Sequence, residues 1–316
     1  MASSRRAWIW IAIAVVIGVA ALSMVGDLRH LGDALAEFRW SAFAAALGLA
    51  LLNYSLRWLR WQFYLARQDV RVPVASSAVV FGAGLSLSIT PAKLGELLKS
   101  YLLREMHDVP APRTAPIVVA ERVSDLVALL VLAVIGVAAY GVASSLVFAA
   151  AGLIGLGLVL LAWQRPTRAL IDLVTRPDKL RNLRAPLHET LGNLAALCRP
   201  APLAFATLIA VPSWACECIG FALVCNAFPD AHVAMGLALV IYAGTTIAGA
   251  LSFLPGGLGV TEGAMTLALV GGAAHFRKAD AVAATLLTRV ATLWFAVALG
   301  VVFLALARAR IARRAL

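Results

Sequence analysis

The chain has 316 residues, 62% of them hydrophobic and only 14% charged, with a net charge of +11. A soluble domain carries roughly 25% charged residues, so this composition excludes water as the main solvent. The basic residues fall between apolar runs, with no stacking platform or recognition motif, which argues against a nucleic-acid partner and for anchoring and orientation. Apolar stretches of about 18 or more residues recur along the chain, each enough for roughly 30 Å of hydrocarbon. They lack the alternation of barrel strands, so the expected class is an all-α polytopic membrane protein.

In chain order, Arg5 and Arg6 precede Trp8–Val25, which is long enough to remain as a first span and is followed by no convincing cleavage site. It reads as a signal anchor. Further spans are expected at Ser41–Trp58, Ile117–Tyr140, Ser144–Trp163, Pro202–Val224 and Ala281–Leu306, about six in all. Two apolar regions break this scheme. Val74–Leu103 is interrupted at Thr90-Pro91, and Ala234–Gly271 at Phe253-Leu254-Pro255-Gly256-Gly257-Leu258-Gly259. Each half is short for a span, and the break frees backbone groups that only a protein-lined or wet cavity satisfies. Both are read as re-entrant helical hairpins. Residues 164–199 are basic, contain Pro166, Pro177 and Pro186, and form a cytoplasmic connector with an interfacial helix. On this scheme Arg57, Arg60, Arg67, Arg71, Arg104, Arg113, the connector and Arg308 to Arg314 share one side. Only Arg29, Arg39, Arg277 and Lys278 lie on the other, so both termini are assigned to the cytoplasm. Trp40, Trp58, Trp61 and Trp163 lie near span ends, where interfacial tryptophan is expected.

An internal repeat organises this single domain, 1–316. Ser88-Ile89-Thr90-Pro91-Ala92-Lys93-Leu94-Gly95 aligns with the segment from Ser252 to Gly259 at an offset of 164, and Arg122-Val123 aligns with Arg289-Val290 at 167. The first hairpin would enter from the cytoplasm and the second from the far side. The halves, about 41–140 and 202–306, would then form an inverted-topology repeat, the arrangement of many transporters.

Glu121, Arg122 and Asp125 share one broad helix face, as a structural ion pair near the interface or as part of a site. Arg289 lies roughly 14 Å into its span and has Thr288 and Thr292 at the corresponding acidic positions. Its partner must be Glu262, Glu217 or a bound anion. Pro91 and Pro255-Gly256-Gly257 precede the expected half-helices Ala92–Leu103 and Leu258–Val270, whose free N–H groups and positive dipole ends would face the bundle. With Lys93 they would complete an anion site; the alternative is that the glycines merely allow tight packing. Glu96, Glu262 and Glu217 would be protonated if unpaired and ionised beside arginine, which leaves proton coupling open. Asn53 and Tyr54 read as interhelical polar packing. Cys198, Cys216, Cys218 and Cys225 read as small apolar fillers, and His30, His107, His188, His232 and His275 fall in loops or interfaces. No metal, cofactor or enzyme signature is therefore expected.

The runs Thr90-Pro91-Ala92-Lys93-Leu94-Gly95-Glu96, Glu121-Arg122-Val123-Ser124-Asp125 and Leu254 to Gly263 together resemble the transmembrane, flippase-like domain of lysylphosphatidylglycerol synthases. The resemblance spans residues 8–306 and implies a stand-alone member without the soluble synthetase domain, in the bacterial inner membrane. It implies a lipid-translocating role but not the substrate; with the anion site read from the residues, the expectation is a flippase that moves an anionic, phosphate-bearing or isoprenoid lipid between leaflets. The pathway residues so implied are Pro91, Lys93, Glu96, Glu121, Arg122, Asp125, Pro255, Gly256, Gly257 and Glu262. The alternatives are a membrane-embedded lipid-modifying enzyme using Glu96, Glu121 or Glu262 as acid or base, or a non-catalytic subunit of an envelope-lipid pathway. A second copy of the chain or a pathway enzyme is the expected protein partner.

Overall fold

The computed structural model describes residues 28–140, 152, 155, 157, 164–229, 231–271 and 276–314. The expected spans Trp8–Val25 and Ser144–Trp163 lie outside the described residues, apart from three isolated positions in the second. Described elements are all helical: α1 (Leu28–Ala36), α2 (Trp40–Arg67), α3 (Val74–Leu85), a 3-10 helix (Pro91–Leu97), α4 (Leu98–His107) and α5 (Ala111–Tyr140). Then come α6 (Gln164–Val174), α7 (Asp178–Arg181), α8 (Arg184–Leu197), α9 (Pro200–Cys225), α10 (Met235–Leu251), a 3-10 turn (Pro255–Gly257), α11 (Val260–Gly271) and α12 (Lys278–Arg289). α12 continues through a π-turn (Val290–Trp294) into α13 (Phe295–Arg314). Four helices are long and apolar enough to cross a membrane: Trp40–Arg67, Ala111–Tyr140, Pro200–Cys225 and Lys278–Arg313. They correspond to the four expected spans inside the described region, each extended at its ends.

The interrupted regions form helical hairpins. α3 has 12 residues, roughly 18 Å at 1.5 Å per residue and well short of a bilayer core. The chain then turns back, and Ser76 Oγ meets His107 Nε2 at 2.6 Å, closing the base of the hairpin. α10 and α11 pack against each other as the legs of the second hairpin. The two tips differ in conformation. The first is a seven-residue 3-10 helix, so the expected half-helix Ala92–Leu103 begins as an α-helix only at Leu98. The second needs left-handed backbone at Gly256, Gly257 and Gly259, with φ of +59°, +67° and +82°, a region glycine enters without a Cβ penalty.

The two halves pack reciprocally. α3 of the first half lies against α13 of the second, and α10 of the second lies against α5 of the first. The opening helices α2 and α9 pack together antiparallel. Arg39 N–H donates to Ala227 O at one end, Asn53 Nδ2 donates to Ser213 O in the middle, and the Phe63 and Phe205 rings stack 4.6 Å apart at the other end. The bonds from Asn53 to Ser213 and from Tyr54 to Thr292 O match the expected polar packing. Helix approach at the reciprocal contacts is limited by glycine. A Cβ added to Gly300 would fall 2.1 Å from Ser86 N, and one on Gly136 would fall 2.8 Å from Gly236 O.

Of the connector helices, α8 docks on α5 and α6 packs against α8. Pro116 inside α5 has no N–H for the carbonyl of Pro112, and Asn193 Nδ2 of α8 donates to that oxygen at 3.0 Å. Within the connector, Asp172 accepts from His188 at 2.8 Å and from Arg184 at 2.7 Å. The His188 hydrogen bond, followed by that of Arg184, holds the Asp172 carboxyl below its usual range.

Candidate functional site

α2 carries the polar stripe that the site is built on. Asn53, Tyr54, Arg57, Arg60, Trp61 and Tyr64 recur at helical spacing and are all buried, while Leu51, Leu52 and Leu59 face outward. A helix in lipid turns its polar side to protein, because a charge left in hydrocarbon costs several kcal/mol. Arg57 and Arg60 were expected to act as cytoplasmic-side orientation charges. Instead Arg57 is 4% exposed and Arg60 is fully buried. Trp61, expected at the interface, is also fully buried and donates to Ser77 Oγ at 3.2 Å. Trp40 is half exposed, as an interfacial residue should be.

These arginines meet the acidic residues of the first half in one buried network. Glu96, at the end of the first tip, accepts from Arg57 at 3.3 Å, Lys99 at 3.2 Å and Arg122 at 3.3 Å. Lys99 also pairs with Glu121 and lies 4.6 Å above the Trp61 ring. Asp125 pairs with Arg60 at 2.7 Å and Arg122 at 3.1 Å, and accepts the Trp214 indole N–H at 2.9 Å. Arg57, Arg60, Lys99 and Arg122 exceed Glu96, Glu121 and Asp125 by one positive charge. Arg122 is the member most open to water, at 20% side-chain exposure.

The second half repeats the pairing in reduced form. Arg289 Nε lies 2.5 Å from Glu262 Oε1, and its Nη2 donates to Gly256 O at 2.6 Å. Each closing helix therefore offers an arginine to a glutamate just beyond its own hairpin tip: Arg122 to Glu96, and Arg289 to Glu262. The aromatic donors cross between halves in the same way. Tyr54 of α2 reaches Thr292, three residues past Arg289, and Trp214 of α9 reaches Asp125, three residues past Arg122.

Between the halves lies a cavity of about 310 Å³. Arg57, Arg122 and Arg289 line it together with Asp125 and Glu217, and the second tip contributes Gly256 and Gly257. Its lip is apolar: Phe253 is 68% and Leu254 44% exposed. Glu217 is buried and accepts the Tyr242 hydroxyl. Glu96 and Glu262 stand behind the wall as partners of its cations, and Glu121 stands behind it as a partner of Lys99. Pro91 and Pro255 begin the two tips, which touch each other, without lining the cavity. The Lys93 side chain lies outside the described residues.

The half-helix ends differ from expectation. Glu262 Oε2 accepts the Gly259 N–H at 2.7 Å, so the start of α11 is already capped by a carboxylate. α4 starts behind the 3-10 tip, away from the cavity. Positive character at the wall therefore comes from guanidinium groups, and Arg57, Arg60 and Lys99 are the site residues that sequence reasoning missed. The signal that finds them is the polar period along α2, with Lys99 one helical turn beyond Glu96. Among the described residues, no group of three His, Cys, Asp or Glu side chains is placed to hold a metal ion.

No curated protein matches the sequence. The family model described as the lysylphosphatidylglycerol synthase TM region matches residues 9–300. That match, over nearly the whole length of a multi-pass membrane scaffold, makes this chain a member of the lysylphosphatidylglycerol synthase transmembrane-region family.

Proposed function

We propose that the protein carries a lipid with an anionic, phosphate-bearing headgroup between the leaflets of its membrane, and that residues 41–140 and 202–306 are the halves of an inverted-topology repeat. The observation that carries this reading is the cavity. Three arginines drawn from both halves face one space, and its apolar lip leaves a route for acyl chains to remain in lipid. Guanidinium groups bind phosphate through forked, charge-assisted hydrogen bonds. The antiparallel pairing of α2 with α9, the reciprocal packing of the hairpins and the two arginine–glutamate pairs support the inverted repeat, which in transporters puts the substrate between the halves. The family is named for the membrane region of a lipid synthase, consistent with a lipid ligand.

The test is reconstitution of the purified chain in liposomes, following leaflet exchange of a fluorescent phosphatidylglycerol with a membrane-impermeant quencher. Exchange that depends on Arg122 and Arg289, with unchanged lipid mass, is the expected result. A chemically altered lipid would assign the cavity to an enzyme instead. Intact lipid that never exchanges would leave a scaffold for a lipid pathway.

A further inference from the structure

Resting on that reading, we infer that Glu217 is a proton-binding site of the cavity, and that its protonation admits the anionic headgroup. Asn53 and Ser213 bond to each other 160 positions apart, and Glu217 lies the same distance beyond Arg57. The two opening helices thus present opposite charges at equivalent places, both on the cavity wall. Among the acids of the site, Glu96, Glu121 and Glu262 sit behind the wall. Asp125 and Glu217 are on it; Asp125 is paired with Arg60 and Arg122, and Glu217 stands near the middle of α9.

Glu217 also lines a second, water-sized void of about 10 Å³, walled by the apolar Ala46, Ala50, Phe221, Val224 and Ala291 with Thr288 and Thr292. That volume is at the lower limit for a single water, and the threonine hydroxyls supply polar partners. Glu217 and Thr292 belong to both spaces. The carboxyl therefore stands between the headgroup cavity and a small, mostly apolar void, so it is with the cavity that it exchanges a proton.

The charged and titratable groups that share the cavity wall with it come from four helices, Tyr54 and Arg57 of α2, Arg122 and Asp125 of α5, Tyr242 of α10 and Arg289 of α12, while Cys216 and Cys218 flank it on α9 itself. Each of the three arginines already has a carboxylate from its own half. An incoming phosphate must compete for those guanidinium groups, and an ionised Glu217 adds repulsion in a poorly solvated space. Protonation removes that repulsion. Tyr242 donates its hydroxyl to the same carboxylate.

The probe is dihexanoyl phosphatidylglycerol, a phosphodiester whose charge is constant between pH 5 and 8. It is titrated into the full chain in detergent and its binding is followed by calorimetry. Proton uptake is obtained from binding heats in buffers of different ionisation enthalpy. Wild type should bind more tightly as pH falls, by up to about tenfold per unit for one linked proton, with net uptake. Glu217→Gln should bind at the tight limit throughout and take up none. Wild-type binding that ignores pH, or Glu217→Gln with the wild-type pH dependence, overturns the proton site and leaves translocation standing. Absence of binding at every pH overturns the anionic-lipid reading, and the proton site with it.

Discussion

Lys99 and Arg289 separate what the charges do for folding from what they do for recognition. Lys99 is 1% exposed and is the shared partner of Glu96 and Glu121. Removing one partner of a buried ion pair costs about 3–5 kcal/mol, because an uncompensated charge stays behind. Lys99→Met should therefore lower the thermal midpoint in detergent more than Arg122→Ala, since Arg122 is partly wet and its acids keep other cations. A Lys99→Met midpoint at or above that of Arg122→Ala would refute this order. Arg289→Ala should abolish leaflet exchange while the protein still inserts, and Arg289→Lys should recover only part, since an ammonium cannot hold Glu262 and Gly256 O in one planar fork. Adding Glu262→Ala to Arg289→Ala should restore stability without exchange. Recovered exchange in the double variant would make the pair structural only. Sequence reasoning found Arg289 and named Glu262 among its partners because a lone charge deep in an apolar run stands out. It missed Arg57, Arg60 and Lys99 because each lies near an expected span end, where charge is ordinary; only the fold reveals that α2 and α4 continue inward there.

The hairpins depend on close backbone approach, and glycine is where that dependence can be measured. At Gly300 the obstacle to a Cβ is backbone, Ser86 N at 2.1 Å, whereas at Gly82 it is the Phe303 ring at 2.4 Å, which can turn aside. Gly300→Ala should therefore cost more than Gly82→Ala, by about 1–3 kcal/mol as for other overpacked sites. Thermal unfolding of the two variants in detergent checks the order, and equal midpoints would mean α3 and α13 separate readily. The connector offers an element-level test in water. Asp172 has a depressed pKa, so its contribution to holding α6 against α8 is present above its unfolded value of about 3.9 and is lost as pH falls through the lower folded value. Amide exchange in 164–197 should accelerate only below about pH 4, and Asp172→Asn should show that acceleration at neutral pH. At this scale the sequence was most legible. Proline and glycine in mid-run announced both hairpins, and Pro91 and Pro255 mark both tips. The tip conformations were not legible, since a 3-10 helix at Pro91–Leu97 and a left-handed turn at Gly256 are set by what packs around them.

At the scale of the whole molecule, the proposed inverted repeat makes a claim about sides. Arg39 contacts Asn226 and Ala227, and Arg277 reaches Glu37 at 3.9 Å, which gathers the charges expected on the outer face at one end of the bundle. The base of the first hairpin, where Ser76 meets His107 and Arg310 reaches Ala75 O, joins residues assigned to the cytoplasmic face. Positive residues favour the cytoplasm, so the first hairpin should open inward and the second outward. Single cysteines at exposed loop positions decide this in a chain with Cys198, Cys216, Cys218 and Cys225 replaced by alanine. Arg71→Cys and Asp108→Cys, which flank the first hairpin, should both resist an impermeant maleimide in intact cells and react after permeabilisation. His232→Cys and Arg277→Cys, which flank the second, should both react in intact cells. If Arg71→Cys and Asp108→Cys label from opposite sides, α3 and α4 cross the membrane rather than re-enter. If all four label from one side, the halves are parallel, and the pairing of Arg122–Glu96 with Arg289–Glu262 cannot arise from a two-fold axis in the membrane plane. Labelling of the first pair from inside only and the second from outside only fixes that axis through the contact of the tips, and with it the cavity at mid-membrane, where a headgroup must pause between leaflets.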